Sequence, residues 1–351
     1  MSAGNTPPAD MNSAPVDART RPRVLVTRRI FPDLLEALRR DHEVQDNQAD
    51  VPWSAEQLVE RMAQVHGVLV DPARRVDEAM LAACPQLCVV SNVAVCYNNL
   101  DIPACTRAGI VATNTPDVLT DATADHAWAL LLAAARRVVE SDRWTRAGNW
   151  QGFALDAFLG AEVHGATLGI LGMGRIGQAI ARRAQGFAMR LIYHNRTPLA
   201  ADAAQAGGAL WVDKAELLRS ADFLVLLVPY SPATHHAIGA AELAQMKPSA
   251  VLVNIARGGV VDDAALVAAL RSGRPGAAAL DVMENEPHFH PGLLELENVV
   301  LTPHIGSATH TARRGMVSLA MRNLEAVLRG QRPQALLNPE VWDRRRRYEG
   351  S

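Results

Sequence analysis

The 351-residue chain has no apolar run approaching the roughly twenty residues that cross a bilayer, and its first 21 residues have no hydrophobic stretch of the kind a secretion signal carries. That opening segment is rich in Pro, Ala, Asn and Asp, and a disordered leader is expected through residue 22. Net charge is nearly absent too. A formal value of −2 gives no electrostatic case for a nucleic-acid partner or an anionic membrane. Cysteine is scarce: Cys84, Cys88, Cys96 and Cys105 crowd into one stretch without C-x-x-C spacing, which excludes a disulfide framework and argues against a zinc knuckle. These absences leave a soluble, reduced, cytoplasmic protein as the expectation, and the length calls for two domains.

What the chain does have is organised around residues 167–197, TLGILGMGRIGQAIARRAQGFAMRLIYHNRT. An apolar run ends at Leu171, and Gly172, Gly174 and Gly177 then form G-x-G-x-x-G ahead of a helical pattern over residues 178–185. The first glycine permits a tight turn, and the second lets a pyrophosphate approach the backbone. The third lets helix and strand pack closely, with the helix N-terminus facing the negative charge. A second strand over residues 190–193 completes a βαβ unit that binds a dinucleotide. In the NAD version, an Asp or Glu about twenty residues beyond the fingerprint binds the adenosine ribose. Here His194, Asn195, Arg196 and Thr197 stand at the strand end, with no carboxylate to repel a 2′-phosphate and an amide, a guanidinium and a hydroxyl to bind one. NADP is favoured, with NAD possible.

Along the chain, strands are expected from residue 23 and over 67–70, 87–93 and 110–113, with helices over 32–40, 54–63, 76–83 and 102–107 between them. A long helix is expected over residues 120–148, and an irregular loop with Trp150, Phe153 and Phe158 follows it to residue 165. After the fingerprint come helices over 202–208, 214–219, 242–246 and 262–272 and strands over 209–212, 223–228, 250–255 and 276–282. A last helix is expected over residues 310–329. The alternation predicts an α/β protein of two doubly wound parallel-sheet domains, a flavodoxin-like unit first and a Rossmann unit around the fingerprint. Ligands of such sheets bind at the carboxyl ends of strands, so Pro229, Arg257, Asp281 and the residues after Leu301 should converge. The expected bounds are 23–121 plus 309–342 for a substrate domain, 122–308 for a cofactor domain, and 343–351 for a solvated basic tail.

Three further stretches carry chemistry: NIARGGVVD over residues 254–262, ALDVMENEP over 279–287 and LTPHIGSATH over 301–310. With the glycine fingerprint, they make the chain from Arg23 to Trp342 resemble the D-2-hydroxyacid dehydrogenases. HNRT, ARRVVE and PHIGSATHTARRGM are similar to the NADPH-dependent glyoxylate/hydroxypyruvate reductases that also act on 2-ketogluconate. The resemblance implies that Arg257 clamps the carboxylate and carbonyl of a small 2-oxo acid, a task that suits a planar cationic fork. It implies that His304 is the acid/base and that Glu286, the residue before Pro287, is its partner. An imidazole must give up a proton as hydride reaches the carbonyl carbon, and an adjacent carboxylate favours its protonated form. For the cofactor, the resemblance implies backbone contacts at Arg175 and Ile176, a carboxamide contact at Asp281, and further contacts at Val228, Pro229, Ile255, His304 and Gly306. For the substrate it implies Val70, Ala94 and Val95 beside Arg257.

One departure concerns the substrate loop. The family usually has G-x-G-Y-D-N there, whereas this chain has Ala94, Val95, Cys96, Tyr97, Asn98 and Asn99, so two glycines with their wider range of backbone angles are missing and the loop is expected to be shaped differently. His288 and His290 stand near Glu286, yet no metal is expected, because a dehydrogenase of this type needs none. The resemblance further implies a homodimer seated on the long helix that starts at Thr120. Two rivals remain: an NAD-dependent phosphoglycerate-type dehydrogenase, which would usually carry the missing ribose-binding Asp, and a non-enzymatic dinucleotide-sensing partner protein, which would not need Arg257, Glu286 and His304 together.

Overall fold

In the computed structural model, which describes residues 21–200 and 208–349, the chain builds two parallel β-sheets covered by helices. Strands β1 (Arg23–Val26), β2 (Glu43–Asp46), β3 (Gly67–Val70), β4 (Val89–Asn92) and β5 (Val111–Thr113) pair in the order β2-β1-β3-β4-β5. Strands β6 (Thr167–Leu171), β7 (Arg190–His194), β8 (Leu210–Trp211), β9 (Phe223–Leu226), β10 (Val251–Asn254), β11 (Ala277–Leu280) and β12 (Val299–Leu301) pair in the order β12-β11-β10-β9-β6-β7-β8. The first order is that of flavodoxin-like sheets and the second that of a Rossmann sheet with one extra strand. Each reverses direction at one point, between β1 and β3 and between β6 and β9. The loops that leave these strands open a crevice at their carboxyl ends, and that fixes where a ligand can bind.

The sequence pattern did not mark β2. Its residues, EVQD, lie at the sheet edge and are only partly buried, so the strand carries no apolar run to announce it. The expected helix over residues 202–208 falls almost wholly outside the described residues.

The long helix expected over residues 120–148 is two helices, Thr120–Ala135 and Val138–Arg146, separated by Arg137 at a left-handed φ of 52°. The returning chain causes the break. Gly160 crosses the helix end so closely that a Cβ there would lie 2.3 Å from the Ala135 carbonyl oxygen, which instead accepts a hydrogen bond from the Ala161 N–H at 2.8 Å. Before the break, the helix buries Ala124, Ala127, Trp128, Leu131 and Ala135 against the seven-stranded sheet, and the Trp128 indole donates to the Ile180 carbonyl.

Helix His310–Leu328 follows the last strand of the second sheet yet packs on the first. Val317, Ala320, Met321 and Leu324 meet Val24, Val26, Leu69 and Val89 in one apolar cluster. Gly67 makes room for it, since a Cβ there would press on Leu324 at 3.0 Å. The expected solvated tail is docked as well. Arg346 donates through its guanidinium to the Cys84 carbonyl at 2.6 Å and through its backbone N–H to Gly109 at 2.7 Å, while Arg345 lies 3.7 Å over the Trp342 ring. Long arginine stems cover apolar surface while their charged ends reach exposed carbonyls, so a basic run need not be a free one.

All four cysteines are free thiols. Burial pushes Cys84 and Cys88 up to about 11 and Cys105 up to about 12. Among the described residues, no helix is long and apolar enough to cross a membrane.

Candidate active site

Between the two sheets lies a cleft of about 750 Å³. Its lining from the first sheet includes Thr27, Phe31, Asp71, Ala94, Val95 and Cys96; from the second come Ile176, Val228, Pro229, Ile255, Arg257, Asp281, His304 and Gly306. Residues separated by some two hundred positions thus face one another, because both sheets present their switch points to the same space.

On the cofactor side, two of the three fingerprint glycines have a local reason. Gly172 has a φ of 105°, and a Cβ on it would strike the Leu227–Val228 backbone at 2.9 Å. A Cβ on Gly177 would lie 2.8 Å from the Gly172 carbonyl oxygen, so only glycine lets helix Arg175–Ala184 sit this close to β6. Gly174 caps the helix without a side chain. Among the described residues no acceptor engages the N–H groups of Arg175 and Ile176, so the helix start presents free donors and positive dipole to an anion. The Arg175 side chain turns away to pair with Asp117 at 2.9 Å. Asn195 works differently from the expectation: its Oδ1 accepts the Met173 N–H at 2.7 Å and so fastens the glycine turn, leaving only its Nδ2 to meet a ligand. Arg196 and Thr197 are exposed at the end of β7, and Arg196 has no ion-pair partner among the described residues.

On the substrate side, Val70 does not line the cleft. It is fully buried in the core of the first sheet, and its neighbours Leu69 and Asp71 reach the space instead, because alternate residues of a strand face opposite ways. Ala94, Val95 and Cys96 lie outside the left-handed region, so the missing family glycines leave no strained backbone here. The loop is fastened by acceptors only: the Ala94 carbonyl takes the Thr115 N–H, and the Val95 and Cys96 carbonyls take the Asn114 and Asn92 amides. Among the described residues nothing accepts from the N–H groups of Ala94, Val95 or Cys96, which leaves three donors available to a carboxylate.

Opposite them, Arg257 follows β10 with its guanidinium hydrogen-bonded to the Ala256 carbonyl at 2.7 Å. The next residue joins two motifs. A Cβ on Gly258 would lie 1.8 Å from the Met283 carbonyl oxygen, so a backbone contact that only glycine permits holds the Arg257 loop against the turn carrying Glu286. Glu286 Oε2 sits 2.9 Å from His304 Nδ1, and its Oε1 accepts the Met283 N–H at 2.9 Å. Burial alone would raise the Glu286 carboxyl, but the hydrogen bond and charge of His304, the Met283 N–H and nearby Arg257 together hold it below the ordinary glutamate value. With Nδ1 engaged, His304 Nε2 is the nitrogen left to address the cleft. The arrangement can grip an anion with a planar cation and deliver a proton beside it.

Asp281 lines the cleft but is almost saturated by protein donors. Its Oδ1 accepts from the Thr302 hydroxyl and the Ile305 N–H at 2.7 Å each, and its Oδ2 accepts from the Gly306 N–H at 2.8 Å. It thereby sets the loop that holds His304 at a left-handed φ of 55°. Sequence reasoning missed His126, whose Nε2 stands 3.2 Å from both Asp281 Oδ1 and Thr302 Oγ1; a histidine inside an Ala- and Leu-rich helix gives no signal of that contact. The His290 side chain accepts the Gly292 N–H, and the side chains that do gather at metal-binding spacing are His235, His236 and Glu284.

Comparison with known proteins identifies the family and the fold. Residues 128–306 match the model of the D-isomer specific 2-hydroxyacid dehydrogenase NAD-binding domain. A glyoxylate reductase of Thermococcus onnurineus is 48% identical over 325 residues, which cover 92% of this chain and 97% of that protein. The crystal structure of a glyoxylate reductase from Paecilomyes thermophila superposes with a TM-score of 0.82 at 34% identity, covering 91% of this chain and 99% of that one. The NADPH-dependent glyoxylate/hydroxypyruvate reductase of Sinorhizobium meliloti, solved with NADP and malonate, gives 0.79 at 36% identity, covering 92% and 98%.

Proposed function

The chain belongs to the D-isomer specific 2-hydroxyacid dehydrogenases, and from that premise we propose that it reduces glyoxylate and related small 2-oxo acids, hydroxypyruvate and 2-ketogluconate among them, to D-2-hydroxy acids with NADPH. One observation carries the reading: Arg257 and the His304–Glu286 pair face three free N–H groups at Ala94, Val95 and Cys96 across a single cleft.

The residues fit a nicotinamide dinucleotide. Free N–H groups at Arg175 and Ile176 and the turn through Gly172, Gly174 and Gly177, glycine-only at Gly172 and Gly177 and open at Gly174, suit a pyrophosphate. Arg196, Thr197 and Asn195 Nδ2 suit a 2′-phosphate, while Val228, Pro229, Ile255, Asp281 and Gly306 line the inner end of the cleft. When bound, the cofactor supplies a hydride to the carbonyl carbon. Arg257 and the Ala94–Cys96 amides orient the 2-oxo acid through its carboxylate, and Arg257 draws charge onto the carbonyl oxygen. His304 Nε2 gives that oxygen its proton, and Glu286 holds Nδ1 and stabilises the imidazolium. The domains are a substrate unit of residues 23–121 and 309–342 and a cofactor unit of residues 122–308.

The natural assembly on this reading is a homodimer in the cytoplasm. Between Trp150 and Leu159, an arm without regular structure leaves Trp150, Phe153, Leu155 and Leu159 between 67% and 88% exposed, an apolar surface that a second copy would cover. Steady-state assays of glyoxylate, hydroxypyruvate and 2-ketogluconate with NADPH and with NADH test the proposal. Turnover with NADPH supports it. A preference for NADH with a phosphorylated 2-oxo acid would favour the phosphoglycerate-type reading, and cofactor binding without any turnover would favour a sensor.

A further inference from the structure

We propose that His235, His236 and Glu284 form a binding site for a divalent transition-metal ion of the zinc type at the outer mouth of the catalytic cleft. One nitrogen from each imidazole and one carboxylate oxygen all lie within 4.8 Å of one another. Two imidazoles and a carboxylate are a donor set that such ions favour, and adjacent ligand atoms on a tetrahedral ion with bonds of about 2.1 Å sit roughly 3.4 Å apart. His236 Nε2 already stands 3.1 and 3.2 Å from the two Glu284 oxygens. Only His235, the exposed member, needs to turn to close the triangle.

The surroundings support the same assignment. A metal-binding histidine usually has a polar partner on the nitrogen away from the ion. His236 Nδ1 faces Asp262 Oδ2 at 3.7 Å, and His235 Nδ1 faces the Tyr230 hydroxyl at 3.3 Å. In His236, Nε2 is therefore the nitrogen turned toward Glu284. His236 holds a left-handed φ of 49°, a conformation that a non-glycine residue keeps only where its surroundings enforce it, and its N–H is tied to the Gly259 carbonyl at 2.7 Å. The backbone thus fixes one ligand toward another. None of the three residues has a part in the proton or hydride chemistry proposed above.

The site adjoins a recess of about 400 Å³ lined by Tyr230, Glu284, Glu286, Arg257 and His304. An ion held by Glu284 sits two residues along the chain from Glu286 and beside the outer approach to the cleft, so its binding slows turnover. That consequence rests on the functional reading above; the binding itself does not.

Calorimetric titration of the full chain with zinc chloride at pH 7.5 tests the site. One zinc per chain is expected, with affinity falling about tenfold or more in both His235→Ala and Glu284→Gln. His235 is exposed, so His235→Ala decides the matter even if Glu284→Gln does not fold. Zinc should inhibit NADPH-linked glyoxylate reduction by the parent and spare His235→Ala, whose zinc-free activity stays at the parental level. No zinc binding by the parent, or equal affinity in His235→Ala, would overturn the proposal. Zinc binding that both variants lose, in a protein that turns over no 2-oxo acid, would support the metal site and count against the functional reading.

Discussion

Arg257→Lys would keep the positive charge and lose the planar fork, so at the scale of single residues it separates charge from geometry. The account expects kcat/KM for glyoxylate to collapse while NADPH binding, measured by fluorescence titration, survives. Near-normal kcat/KM would remove Arg257 from the substrate site. Arg196→Ala should raise the NADPH KM by an amount equivalent to about 1.5–3 kcal/mol of lost charged hydrogen bonding and leave NADH almost unaffected; equal losses with both cofactors would contradict the 2′-phosphate assignment. Glu286 is held below the ordinary glutamate value chiefly by its bond to His304, so it stays ionised across the working range and favours the charged imidazole. Glu286→Gln removes that anion and the partner that holds His304 Nδ1, so kcat for glyoxylate reduction should fall about tenfold or more while NADPH binding survives. Near-parental kcat, with hydride transfer limiting in both proteins, would break the pair. At this scale the sequence was informative where chemistry follows from a local pattern, as with the glycine fingerprint, while Arg257 and His304 stood out only through the family resemblance. It was silent where the partner is distant: nothing near His126 announces a contact with Asp281, 155 residues along the chain, and nothing at Asn195 announces that its oxygen serves the glycine turn.

Between elements, Gly258 is the point where two motifs meet. A Cβ there would sit 1.8 Å from the Met283 carbonyl oxygen, closer than any side chain can be accommodated without moving one loop from the other. Gly258→Ala should therefore lower the melting temperature, in line with an overpacking cost of about 1–3 kcal/mol, and reduce kcat by pulling Arg257 away from Glu286 and His304. A variant with parental stability and rate would show that the contact does not position the site. Most elements could be read from apolar runs and their alternation with helical patterns. The two misreadings share a physical cause, tertiary context overriding local propensity. The run of Ala, Leu and Arg after Thr120 favours one helix, but the chain returning at Gly160 ends it at Ala135, and β2 exists because β1 offers it an edge.

For the molecule as a whole, the alternation of strand and helix made two doubly wound parallel sheets legible, while the edge strand β2 and the strand orders are read from the structure. The return of helix His310–Leu328 to the first sheet was legible only through the family resemblance, since its own sequence does not say which sheet it covers. The exposed arm from Trp150 to Leu159 belongs to this scale. Phe153→Ser combined with Leu155→Ser should shift the protein from dimer to monomer in light scattering coupled to size exclusion, and an unchanged mass would place the interface elsewhere. Above all, the account rests on a small 2-oxo acid being reduced in the cleft between the two sheets with a proton from His304. The most direct test is the rate of NADPH oxidation with saturating glyoxylate at neutral pH, measured side by side for the parent and His304→Ala. The account predicts ready turnover by the parent and a loss on the order of a hundredfold or more in the variant. Equal rates in the two proteins, or no glyoxylate-dependent oxidation by the parent, would contradict it.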